Sequence, residues 1–154
     1  ILMADSPVVI GNPEWVKGKR VLAVEDGPTL THGGMAFGAA RIAAETYGAS
    51  GLVDPRASAV GSIAQAYHDY PHIGPVLPAM GYSDQQIRDL EQTINAADCD
   101  VVLFATPIQL TRLVAINKPT LRVRYEYRDH AEPTLREVLL RRFAAIEETK
   151  AGQL

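Results

Sequence analysis

The sequence predicts an α/β fold, a Rossmann-like three-layer domain around a mainly parallel sheet of about five strands. Short apolar runs bounded by turn residues recur along the chain, with helix-period segments between them. Two of the runs, "RVLAVE" at 20–25 and "DVVLFA" at 100–105, are apolar almost without interruption, as strands covered on both faces are. Strands that alternate with helices pair in parallel through right-handed crossovers.

Taken in order, residues 1–18 carry prolines at 7 and 13 and read as a lead-in segment rather than an independent unit. The α/β domain runs over 19–150, and "AGQL" at 151–154 is a tail that frays. The first strand is 20–25. An alanine-rich helix over 33–48 follows and ends at Gly48, a usual residue past a helix C-terminus. "GLV" at 51–53 is a second strand, 60–70 a shorter helix, and "PVLP" at 75–78 a weaker strand. The helix over 83–99 opens on Ser83 with Gln86 three residues on, a capping box. Ile87, Leu90 and Ile94 give it an apolar stripe at helical spacing. Strands at 100–105 and 120–127 ("TLRVRYEY") come next, and an amphipathic helix over 132–150 closes the domain. No internal repeat or low-complexity linker interrupts this order.

Composition narrows the function. The 154 residues are 47% apolar, enough for one substantial core, and the net charge of −3 gives no electrostatic reason to expect nucleic acid as a partner. The aromatic residues show no RNA-stacking pattern. Cys99 is the one cysteine, which excludes an intrachain disulfide framework and a cysteine-rich metal site and points to a reducing, cytoplasmic setting. No apolar run approaches the roughly 20 residues that span a bilayer, so no membrane partner is expected. The start lacks the basic region of a signal peptide and an initiator Met, and reads as a segment of a longer chain.

Ligands of open parallel sheets sit beyond the carboxyl ends of the strands, where this chain gathers polar, Gly and Pro residues. Glu25 and Asp26 end the first strand; such carboxylates hold Mg²⁺ or act as bases, or else cap the turn. "TLTHGG" follows. A helix that starts near Gly33 would turn free N–H groups toward an anion, with Gly34 admitting close approach and Thr29, Thr31 and His32 adding donors. The plainer reading makes Thr31 or His32 a cap and the glycines part of the turn. Asp54 and Arg56 flank Pro55 at the next tip, where Arg56 pairs either with phosphate or with Asp54. His68 and His72 are four apart, but Pro71 breaks the helix between them, so His68 is a surface residue and His72 a cleft residue. Thr106 lies at the fourth tip with Arg112 beyond it. Arg122 and Arg124 share a face if 120–127 is one strand, and there they meet anionic partners or simply water. Arg136, Arg141, Arg142, Glu147 and Glu148 form a solvated helix face. No GxxxxGK(S/T) phosphate loop occurs in the chain.

The strings "KGKRVLAVEDGPTLTHGGMAFGA" (17–39), "VDPRASAVGSI" (53–63), "YPHIGPVLPAMGYSDQQIRDLEQTINAADCDVVLFATPI" (70–108) and "INKPTLRVRYE" (116–126) resemble the C-terminal region of the cyclic 2,3-diphosphoglycerate synthetase family, whose members are also described as predicted GTPases. The resemblance implies a parent protein with an upstream P-loop domain, of which residues 1–18 are the end. It also implies ATP or GTP with Mg²⁺ and K⁺ as cofactors, a phosphorylated small acid as substrate, and a homo-oligomer as a possible assembly. Glu25, Asp26 and His32 become the catalytic set, with Glu25 and Asp26 holding the metal. Thr29, Thr31, Gly33, Gly34 and Arg56 become the phosphate cradle, and Asp54, His72, Thr106 and Arg112 line the rest of the cleft. The chain departs from the family at Gln109-Leu110-Thr111-Arg112, where relatives often carry an acid and two arginines. Two functions fit: a domain of a phosphoryl-transfer enzyme, or a non-catalytic ligand-sensing or dimerisation domain of a GTPase-like regulator.

Overall fold

The structure, a computed structural model, describes residues 1–81 and 83–151, with the backbone alone over 145–151. Of the tail predicted at 151–154, Ala151 belongs to the last helix, while residues 152–154 and the side chains of Glu147 and Glu148 lie outside the described residues. The chain divides into two compact units, Val8–Arg124 and the pairing of Ile1–Pro7 with the chain from Tyr125 on. Residues 1–18 are therefore shared between two units.

The elements are β1 (Ala4–Asp5), β2 (Val8–Val9), β3 (Arg20–Asp26), α1 (Gly27–Thr31), α2 (Ala39–Thr46), β4 (Gly51–Leu52), α3 (Gly61–Asp69), β5 (Leu77–Ala79), α4 (Asp84–Ala96), β6 (Val101–Ala105), β7 (Thr120–Arg122), β8 (Arg124–Tyr125), β9 (Arg128–Asp129) and α5 (Leu135–Ala151). β3 is the centre of a five-stranded sheet in the larger unit. β6 runs along one edge of it from Val21↔Val101 to Glu25↔Ala105, and β7 lies outside β6. Two short strands share the other edge: β4 pairs with Arg20 and Val21, β5 with Val24 to Asp26. Every pair is parallel.

Val21, Leu22, Ala23 and Val24 are consecutive and all buried, so both faces of β3 are covered. α2 covers one face through Ala39, Ala40, Ala43 and Ala44, small residues that bring it close to β3 and β6. α3 packs against α4. Lys118 Nζ closes the end of α4, donating to Asn95 O at 2.7 Å, where a cation also suits the helix dipole. In the smaller unit β1 pairs antiparallel with β9. α5 opens on a reciprocal box: Glu137 N donates to Thr134 Oγ1 at 3.2 Å and Thr134 N to Glu137 Oε2 at 3.0 Å.

Four expectations change. The helix over 33–48 shortens to α2, and an additional helix, α1, precedes it. The strand over 120–127 breaks at Val123, which turns inward and is buried, so Arg122 and Arg124 belong to different strands. α5 begins three residues later than expected, beyond Pro133. It buries no clear apolar face among the described residues, since Leu139, Leu140 and Phe143 are exposed. The Ser83 cap holds as read, with Gln86 N donating to Ser83 Oγ at 3.3 Å. Arg136, Arg141 and Arg142 are exposed. Among the described residues no helix is long and apolar enough to cross a membrane.

α3 starts without a side-chain cap of its own. Asp89 of α4 supplies one from across the fold: its Oδ2 accepts from Ser62 N and Ser62 Oγ, both at 2.8 Å. These bonds hold the Asp89 carboxyl below the usual carboxylate range. Their stabilisation is present above that range and is lost as pH falls through the lowered value. Gly61 leaves room for the carboxylate, because a Cβ there would stand 2.3 Å from Asp89 Oδ2, and its φ is +49°. Gly61→Ala should therefore lower stability by about 1–3 kcal/mol, measured as a shifted urea midpoint at unchanged slope.

Candidate functional site

The tips of β3, β5 and β6 lie side by side, with Glu25 paired to both Pro78 and Ala105. At the end of β3, successive side chains turn to opposite faces, which separates the two acids. Glu25 turns to the α2 side and is buried, 1% exposed. Its Oε2 accepts from Ala40 N at 3.1 Å and its Oε1 from Arg41 N at 2.9 Å, and the Gly38 N–H adds a third bond. Gly38 itself offers α2 no side-chain cap. Glu25 thus occupies the positive end of α2 in the place a bound anion would take. A Cβ on Gly38 would come within 2.6 Å of Glu25 Oε2, so this closeness depends on glycine. Burial raises the Glu25 carboxyl above the usual carboxylate range, against the lowering effect of the three backbone N–H groups; the nearby Asp26 charge adds to the rise.

Asp26 turns the other way and caps α1. Its Oδ2 accepts from Thr29 N at 3.2 Å and from Thr29 Oγ1 at 2.8 Å. Pro28 stands in the first turn, where its missing N–H costs nothing. "DGPT" is thus a helix start, and the helix runs through the loop that was expected to be open.

That helix overturns the expected helix start near Gly33 with its free N–H groups. His32 N and Gly33 N both donate to Pro28 O, at 2.9 and 3.0 Å, and Met35 N donates to Thr29 O at 3.4 Å. Gly33 is required by space, since a Cβ would stand 2.4 Å from Thr29 O, and Gly34 by its φ of +65°. The glycines end α1 and do not open an anion site. Thr31 is buried and donates to Gly27 O at 3.0 Å. Thr31 Oγ1 also lies 3.0 Å from His32 Nδ1, and with its one hydrogen given to Gly27 O it accepts from the imidazole there. His72 Nε2 donates to Leu30 O at 2.8 Å, and Tyr70 stands between the two imidazoles, 6.5 and 6.1 Å from their ring centres.

Arg56 is likewise occupied. Its guanidinium bonds Asp54 at 3.1 Å, Gly74 O at 3.2 Å and Ile73 O, and lies 4.5 Å over the Tyr67 ring. Asp54 also accepts from Arg56 N. The pair braces the 73–74 turn rather than cradling phosphate. His68 is exposed beside Asp69, as expected. Arg112 is exposed at the end of the 3₁₀ turn Leu110–Arg112.

On the Asp26 side the strand tips enclose a cavity of about 260 Å³, just below the ~300 Å³ where small-molecule pockets begin. Asp26 and Thr106 are the two predicted site residues that line it. Pro28, Met80, Ile87, Leu90, Ile108, Leu110, Leu113 and Val114 form most of the wall. Thr106 Oγ1 donates to Ile108 O at 2.7 Å, which keeps its own acceptor lone pairs. The sequence reading missed these walls because Ile87 and Leu90 look like ordinary core stripe. The i,i+4 pair Leu110 and Val114 was the available signal that the loop beyond β6 folds inward.

These residues do not build a Mg²⁺ or polyphosphate site. Glu25 has both oxygens spent, and among the described residues no group of three His, Cys, Asp or Glu side chains converges. No step through a metal follows from them.

The chain is 54% identical over 139 residues to a protein named arginine synthetase ArcE from Thermococcus kodakarensis. The match takes in 90% of this chain and 31% of that protein, so the chain spans about a third of the relative's length. No family model matches the chain. No solved structure matches it.

If Glu25 is the cap of α2, folding depends on it. Its raised value means that stability is fully present below the usual carboxylate range and declines as pH rises through that value. Glu25→Gln should flatten this decline. At neutral pH it should also lower stability by about 1–3 kcal/mol, because the amide NH₂ faces a buried backbone N–H. Unfolding curves across pH check both effects.

Proposed function

We propose that this chain is one part of a larger nucleotide-dependent synthetase, and that its α/β unit holds the small organic substrate at the tips of β3, β5 and β6. The observation that carries the reading is the cavity at that junction, lined by Asp26 and Thr106, in a chain 54% identical to an arginine synthetase over 90% of its length. By that likeness the product class is arginine.

A synthetase couples the cleavage of a nucleoside triphosphate to the making of a bond. Phosphoryl transfer asks a protein for positioning and charge neutralisation. The groups expected to meet the second demand, the amides of His32 and Gly33 and the cation of Arg56, are committed within the chain. In this reading ATP or GTP and its Mg²⁺ are bound by the remainder of a longer chain, in keeping with the absence of a phosphate loop here. The α/β unit contributes a dry, shaped wall that orients the substrate and excludes water. His32, exposed at the end of α1, is the imidazole that would accept a proton in this reading.

The test is made on the full-length protein that carries this segment. It should form arginine with loss of one nucleoside triphosphate per turnover. Ile108→Trp adds bulk at the exposed rim of the cavity without crowding the core, and should lower kcat/KM by about tenfold or more. Binding of a small molecule with no nucleotide consumed would assign the domain to ligand sensing instead.

A further inference from the structure

The structure assigns the cavity at the β3–β5–β6 junction to the aliphatic stem and cationic head of a guanidinium-tipped ligand, with Asp26 as the anchor of the head. The inference rests on the reading of this cavity as the substrate site and names the chemistry that the site selects.

Three features carry it. Among the described residues that line the cavity, Asp26 is the only ionisable group. The N-cap bonds engage only its Oδ2, so among the described residues Oδ1 remains an unspent acceptor. Thr106 is committed as a donor, to Ile108 O, and keeps only acceptor lone pairs. The polar side chains that line the site, Asp26 and Thr106, therefore present acceptors and one negative charge, which disfavour phosphate or carboxylate and match a head made of N–H donors. Met80, Ile87, Leu90 and Val114 then supply apolar wall. Such a wall suits the methylene stem of an arginine-like molecule, whose planar head prefers a carboxylate partner.

Asp26→Asn separates this role from the cap. Asn is as good an N-cap as Asp, so α1 keeps its start while the cavity loses its charge. Calorimetric titration of this chain with L-arginine, n-butylguanidine and inorganic phosphate reads the outcome. Both guanidinium ligands should bind one to one and phosphate should not. Asp26→Asn should weaken both at least about tenfold with an unchanged Tm. Methyl shifts on the unsubstituted chain give a second measurement that needs no variant: arginine should move Met80, Ile87, Leu90 and Val114. Binding of phosphate in place of arginine, equal arginine affinity in Asp26→Asn, or shifts confined to residues 32–34 would overturn the inference.

The two readings fail separately. Arginine synthesis by the full-length protein with kinetics indifferent to Asp26→Asn would remove the anchor and leave the synthetase. Asp26-dependent arginine binding in a full-length protein that makes no arginine would remove the synthetase and leave the site.

Discussion

A buried carboxylate on the first turn of α2 organises the middle of this molecule. Glu25 stands at the end of the central strand, and the backbone N–H groups of Ala40 and Arg41 close on its two oxygens. A helix start leaves such groups without intrahelical partners, and inside a protein they must be met by something. Here the chain meets them with its own acid. The tip of β3 and the start of α2 are thereby fixed to each other, and Gly38 stays bare to let them meet.

Asp89 does the same for α3, reaching from α4 to Ser62 across a glycine that leaves it room. Arg56 works in the opposite sense, spending its donors on the carbonyls of the 73–74 turn. Much of what looks like ligand-binding equipment is in this way consumed in holding loops above the sheet. In the cavity, among the described residues, those bonds leave over one oxygen of Asp26, the lone pairs of Thr106 and an apolar wall.

The pleat of β3 decides which acid does which task. Neighbouring side chains on a strand face opposite ways, so Glu25 and Asp26 cannot serve one site. One is withdrawn from water behind α2; the other stays half-exposed and lines the cavity. Their adjacency in the sequence describes a division between the two faces of the sheet and not a pair.

The alternation of strands and helices and the parallel pairing of the sheet were legible in the sequence. Apolar runs, helical periodicity and the Ser83 cap are local signals, complete within a few residues. The start at Asp26-Gly27-Pro28 was equally local, though its Asp cap and early Pro read as site chemistry. What only the tertiary structure decided was the employment of each polar group. Whether Glu25 meets a metal or a helix, and whether Arg56 meets phosphate or a carbonyl, depends on partners 15 to 18 positions away, at Ala40, Arg41, Ile73 and Gly74. Hydrogen bonds are short and directional, and the sequence carries no record of which distant backbone will arrive within their reach.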